Sequence, residues 1–138
     1  MSEKRKKEAR AAEKLKGWKI NLRSYETSTP EFYPNGDPVM KDGEQASKVE
    51  VVDVQENLAA MLFNTGLRLG PEELFKAKDL ADKIRRADDY VLLDQIQMDR
   101  VKAAYLMLVG IPERYVEFLM RIRDAEEVPL KEDEDASA

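Results

Sequence analysis

"DDYVLLDQIQMDRVKAAYLMLVG", Asp88 to Gly110, decides the fold. Tyr90 to Leu93 is a short extended piece, and the period changes immediately behind it. Asp94 and Gln97 stand three residues apart, the spacing at which each side chain satisfies a backbone donor of a helix's first turn. The helix that follows presents Val101, Ala104, Tyr105 and Leu108 on one side, and Gly110 ends it. An edge strand running into a capped helix predicts an α+β fold.

Working back from Asp88, "GPEELFKAKDLADKIRRA" opens a helix with Pro71 at its first position. Glu72 and Glu73 suit the positive end and Arg85 and Arg86 the other. Its expected buried face is Leu74, Ala77, Ala81 and Ile84. Before it, Val54, Leu58, Met61 and Leu62 mark an amphipathic helix that Gly66 closes. Going forward from Gly110, Pro112 opens a last helix with Tyr115, Phe118, Leu119 and Ile122 on one side. The set Tyr105, Met107, Tyr115, Phe118 and Met120 reads mostly as core. Leu106, Met107, Val109 and Met120 fall off the main stripes and are surplus available for contact.

Two strands precede these helices. Trp18, Ile20 and Leu22 alternate with Lys19, Asn21 and Arg23, a half-buried strand to about Tyr25. "KVEVVDV" (48–54) is the second, expected to pair antiparallel with 18–25. Between them, residues 27–47 hold Pro30, Pro34, Asn35-Gly36, Pro38 and Asp42-Gly43. The prolines argue against a long regular hairpin, so the segment reads as a surface loop with two tight turns, tacked down by Phe32, Tyr33, Val39 and Met40. The fold class expected is α+β: an N-terminal basic helix, an antiparallel strand pair and a four-helix, mostly α body. The domain organisation expected is a basic helical arm over 1–17, one domain over 18–125 and an acidic disordered tail over 126–138.

Charge is distributed unevenly over the 138 residues, whose net formal charge is −5. Residues 1–19 carry eight cations against three carboxylates, and residues 124–138 carry one lysine against seven carboxylates. The chain has neither histidine nor cysteine. The commonest general base, the commonest metal ligand and every thiolate are therefore missing from its chemistry. No phosphate-cradling glycine loop occurs: in "NTGLRLGPEE" no lysine follows Gly70, and Pro71 removes an amide. Adjacent carboxylates (Asp88-Asp89, Glu72-Glu73, Glu126-Glu127) lie at helix ends or in the tail, where charge is ordinarily solvated. No catalytic residue, no metal ligand and no cofactor is assigned. A carboxylate-dependent enzyme would need a buried Asp or Glu cluster lining a pocket. No apolar run nears the roughly 20 residues that cross a bilayer, and no signal-peptide segment follows the first charges. The expectation is an intracellular protein without a membrane role.

What remains is binding. Lys4, Arg5, Lys6, Lys7, Arg10 and Lys14 precede Leu15 and Trp18, which with Ala11 form a thin apolar stripe at helical spacing. Such a stripe frays unless it packs on something. The favoured reading is a docking arm for another protein chain or a second copy, with Lys4, Arg5, Lys6, Lys7, Arg10, Lys14, Leu15 and Trp18 as contacts and Phe32 and Tyr33 as secondary ones. The alternative is a small regulator that tracks nucleic acid phosphates, or the machinery acting on them, through the same cations. Glu3, Glu8 and Glu13 interrupt that patch, and no aromatic residue lies among its cations to stack bases.

The stretch from Leu80 to Val128 resembles the carboxy-terminal half of small proteins common in tailed-phage genomes, at Ala81, Lys83, Ile84, Asp89, Val91, Leu93, Lys102, Ala103 and Leu119. The resemblance covers about a third of the chain and rests on helix-and-cap grammar; the basic arm and the 27–47 segment depart from it. It implies a phage-encoded accessory or virion-assembly component, in the host cytoplasm or the virion, and implies no catalytic residues.

Overall fold

The computed structural model describes residues 16–130. Among the described residues, seven short strands and four α-helices make an α+β fold, in the chain order β1 (Lys16–Asn21), β2 (Tyr25–Pro30), β3 (Met40–Lys41), β4 (Glu44–Gln45), β5 (Ser47–Val52), α1 (Val54–Met61), α2 (Pro71–Arg86), β6 (Tyr90–Leu93), α3 (Gln95–Leu106), α4 (Val116–Arg123) and β7 (Glu126–Pro129). Single 3-10 turns, Thr65–Leu67 and Glu113–Tyr115, precede α2 and α4.

The helices form where local chemistry favours them. Asp94 and Gln97 complete the expected capping box on α3. Asp53 caps α1 by accepting from the Glu56 amide at 3.0 Å. Helix α2 spans Pro71 to Arg86, with Glu72 and Glu73 in its first turn and Arg85 and Arg86 in its last. Its buried face is Ala77, Leu80, Ala81 and Ile84, whereas Leu74, expected inside, is exposed. Helix α1 stops at Met61, and Gly66 falls inside the 3-10 turn that follows. Helix α4 starts at Val116, because the turn opened by Pro112 is 3-10.

Strand pairing differs from the expected pair. β1 lies at the centre of a three-stranded antiparallel sheet, flanked by β6, with Trp18 opposite Leu93 and Ile20 opposite Val91. Its other neighbour is β7, with Lys16 opposite Pro129 and Trp18 opposite Glu127. Both edges of β1 are thus taken, and the second strand cannot pair there. The chain breaks after β1, where the Asn21 side chain accepts the Arg23 amide at 2.9 Å, and resumes as β2. It is β2 that pairs with β5, from Tyr25 opposite Val52 to Pro30 opposite Ser47.

Of the disordered tail expected over 126–138, residues 126–130 are instead ordered by this pairing, and residues 131–138 lie outside the described residues. Leu130 is buried, and an added Cβ on Gly17 would lie 2.5 Å from Leu130 Cγ. The glycine is what lets β7 close over β1. Gly17→Ala should drive Leu130 out and cost about 1–3 kcal/mol, as overpacking generally does, read as a lowered thermal midpoint.

One apolar core joins these layers: Ile20, Val91 and Leu93 from the sheet, Leu22 from just beyond β1, Val54 and Leu58 from α1, Ala81 and Ile84 from α2, Met98 and Val101 from α3, and Phe118 and Ile122 from α4. Of the aromatic and methionine set, Phe118 is core and Tyr105 and Tyr115 pack against it, while Met107 and Met120 are exposed. Leu106 and Val109 are exposed as the stripe argument expects.

Candidate functional site

Residues 25–52 form a two-stranded ribbon carrying its own small tip. The turns at Asn35-Gly36 and Asp42-Gly43 are present, with Gly36, Asp42 and Gly43 all at positive φ. The prolines do not prevent the hairpin; they divide it. Phe32 bridges Pro38, β3 pairs β4, and three bonds tie the two loops together. Glu31 N–H donates to Ala46 O at 2.9 Å, Val39 N–H to Glu31 O at 3.0 Å, and Ala46 N–H to Val39 O at 2.7 Å.

Period-2 geometry gives the ribbon two faces. Tyr25, Thr27, Glu50 and Val52 share the inner one, where Tyr25 and Glu50 bond to residues of the body. Glu26, Ser28, Val49 and Val51 share the outer one. Val49 is 62% and Val51 64% exposed, and at the tip Phe32 is 59%, Tyr33 53% and Met40 55% exposed. Of the four side chains expected to hold this segment down, only Val39 is half-buried. A two-stranded ribbon is marginal by itself, and among the described residues nothing pairs with the outer edge of either strand.

Its root is latched to the body by Tyr25. The phenol donates to Arg114 O at 2.7 Å and accepts from Phe118 N–H at 3.1 Å. That amide lies in the first turn of α4, which has no side-chain cap of its own, so a distant tyrosine satisfies a helix donor left open by the local sequence. Arg121 stacks over the Tyr25 ring at 5.2 Å and donates to Arg23 O at 2.5 Å. Glu50 pairs with Arg114 at 3.2 Å.

Burial raises the Tyr25 phenol pKa, more than the bond from Phe118 lowers it. Stability from a neutral phenol is complete below its ordinary range and declines as pH rises from about 10 through the raised value. Tyr25→Phe should cost about 1–2 kcal/mol by leaving two polar groups unpaired. It should also remove that alkaline decline and speed amide exchange in 25–52 before the core.

Concave surfaces also lie elsewhere among the described residues. An apolar groove of about 390 Å³ runs between the end of α1 and the approach to α4, walled by Met61, Phe63, Leu108, Ile111 and Leu119, with Asn57 and Asn64 on it. A second, of about 530 Å³, separates α2 from α3 and mixes Asp79, Asp82 and Asp94 with Lys76, Lys83, Arg86 and Arg100. On its wall, Asp82 is held below the usual carboxylate range by a hydrogen bond from the Lys78 ammonium, four residues earlier on α2. Glu56 is lowered by its bond to Arg85, Glu73 by Arg100 and Asp124 by Arg123. No polar or charged residue is buried among the described residues, and no group of histidine, cysteine, aspartate or glutamate there could hold a metal ion. No helix among them is long and apolar enough to cross a membrane.

Of the residues expected from sequence to make contacts, Lys4, Arg5, Lys6, Lys7, Arg10, Lys14 and Leu15 lie outside the described residues. Trp18 is in the central strand, packed against the core, with the Lys102 ammonium 6.0 Å from its ring centroid. Phe32 and Tyr33 are together on the ribbon tip. No sequence pattern marks Val49, Val51, Tyr25 or Arg114 as contact residues. "KVEVVDV" alternates as a half-buried strand does, and nothing within it tells that Val52 is the buried member and Val49 and Val51 the exposed ones. No family model, no curated protein and no solved structure matches this chain.

Proposed function

We propose that the protein works without catalysis, by holding another protein chain on the ribbon formed by residues 25–52. The observation that carries this reading is the outer face itself. Two valines there, and two aromatic residues and a methionine at the tip, stand in water on an element whose edges are unpaired among the described residues. Such a surface costs stability and solubility, and burial against a partner would recover both. Added strands and apolar anchors are how extended partners ordinarily bind an open sheet edge. The resemblance to tailed-phage proteins supports placing this activity in a phage accessory or virion-assembly role. Nucleic acid binding through the basic arm is the second reading, favoured by the cation density of residues 1–19.

The test is a photo-crosslinking residue introduced at Tyr33 or Val51, with Phe75, exposed on α2, as control. The ribbon positions should give one discrete protein adduct in cells and Phe75 none. Adducts to nucleic acid, or equal labelling from all three positions, would overturn the reading.

A further inference from the structure

Beside the root of the ribbon lies a groove of about 520 Å³. One wall is the whole of β2, Tyr25 to Pro30; the other is Glu113, Arg114 and Glu117, from the 3-10 turn and the first turn of α4. Among the described residues β5 contributes nothing to it. A groove on a face of the ribbon would touch alternate residues of both strands, whereas consecutive residues of one strand describe its edge. The groove therefore runs along the side of β2 that β5 leaves open.

The backbone on that side is ready for another strand. In an antiparallel pair, alternate residues give both amide and carbonyl to the neighbour, and the rest turn theirs away. The register runs unbroken from Tyr25 opposite Val52 to Pro30 opposite Ser47, and the Glu31 amide continues it by donating to Ala46 O at 2.9 Å. That bond puts Tyr25, Thr27 and Thr29 in the set bonded to β5. Glu26 and Ser28 thus hold their amides and carbonyls toward the open side. The facing wall is acidic. Arg114 is taken by Glu50 at 3.2 Å and Glu117 by Arg121 at 2.8 Å, while Glu26 and Glu113 form no ion pair among the described residues.

We propose that β2 takes an extended segment of a partner protein as a third strand, with lysine or arginine at alternate positions of that segment. This rests on the reading of the ribbon as a protein-binding surface, and it names the edge and the chemistry of the occupant. Main-chain bonds at Glu26 and Ser28 supply the pairing, and the alternation supplies the choice of side chain. Residues of the added strand beside Thr27 and Thr29 turn to the inner face, toward Glu113 and Glu117, where cations suit. A polyanion would be repelled. The six residues of β2 are ~20 Å long, which matches a segment of about the same number.

A peptide of about seven residues alternating lysine with threonine is the probe, titrated into the full chain and followed by backbone amide shifts. Shifts should concentrate at Glu26, Ser28 and Glu113 and shrink as salt rises. Ser28→Pro keeps every charge and every bond to β5 but removes an amide on the open side, and should weaken binding about tenfold. Ser47→Pro makes the same change on the open edge of β5 and should leave binding as it was. Glu113→Lys, off the ribbon, gives a second variant and should also weaken the peptide. Thermal midpoints show whether each variant is folded. A peptide alternating glutamate with threonine should not bind. Absent binding, equal binding of the glutamate peptide, or undiminished binding to both Ser28→Pro and Glu113→Lys overturns the proposal. If Val51 still crosslinks to a protein after such a result, only the assignment to the β2 edge falls; if it gives no adduct either, both readings fall.

Discussion

Ala81→Asp should unfold the protein at room temperature. Ala81 is fully buried on the α2 face that meets α1, and among the described residues no buried cation stands ready to receive a carboxylate. An unpaired charge in such a site costs several kcal/mol even after relaxation. A domain of this size has only about 5–15 kcal/mol in total. The control lies on the same helix: Phe75→Asp, at an exposed position, should change stability by less than about 0.5 kcal/mol. Circular dichroism on both variants checks the phase of α2 directly. A folded Ala81→Asp protein would mean that the helix presents another face.

Leu58→Ala should cost about 2–5 kcal/mol. Leu58 is fully buried in α1 and belongs to the cluster that joins the sheet to all four helices. Truncation removes its transfer free energy and leaves a cavity that fixed neighbours cannot fill. Denaturant unfolding should show a lower midpoint with an unchanged slope, since the surface exposed on unfolding is nearly the same. A loss under 1 kcal/mol would mean that the site collapses easily and the core is loosely packed.

What the sequence made legible was local. The Asp94–Gln97 cap, the bounds of α2 at Pro71 and Arg86, and the turns at Asn35-Gly36 and Asp42-Gly43 each depend on groups within a few residues of one another. The partners of β1 depend on residues about seventy and one hundred and ten positions away. The acidic composition around Val128 and Leu130 hid a strand whose place is secured by Gly17, a residue with no side chain to read. The ribbon was missed for a related reason. "YETSTP" is polar on both faces, so it carries no burial pattern, and its root is fixed by Tyr25 reaching residues about ninety positions further on. Leu74 misled because one exposed leucine at helical spacing cannot be told from a buried one without the neighbouring helix.

The candidate surface follows from these same long-range facts. β6 and β7 occupy both edges of β1, which forces the second strand into a ribbon with β2, and pairing in that register turns Val49 and Val51 to solvent. Nothing in the alternation of "KVEVVDV" required that outcome.

The most direct measurement is the mass of the native particle, comparing wild type with V49S/V51S purified gently from cells making the protein at its ordinary level. The account predicts that wild type emerges in a species heavier than its 15.8 kDa chain. It predicts that the double variant emerges as the free chain with the same thermal midpoint, because both valines are exposed. Identical masses for the two proteins would contradict the claim that the ribbon is the surface through which this molecule acts.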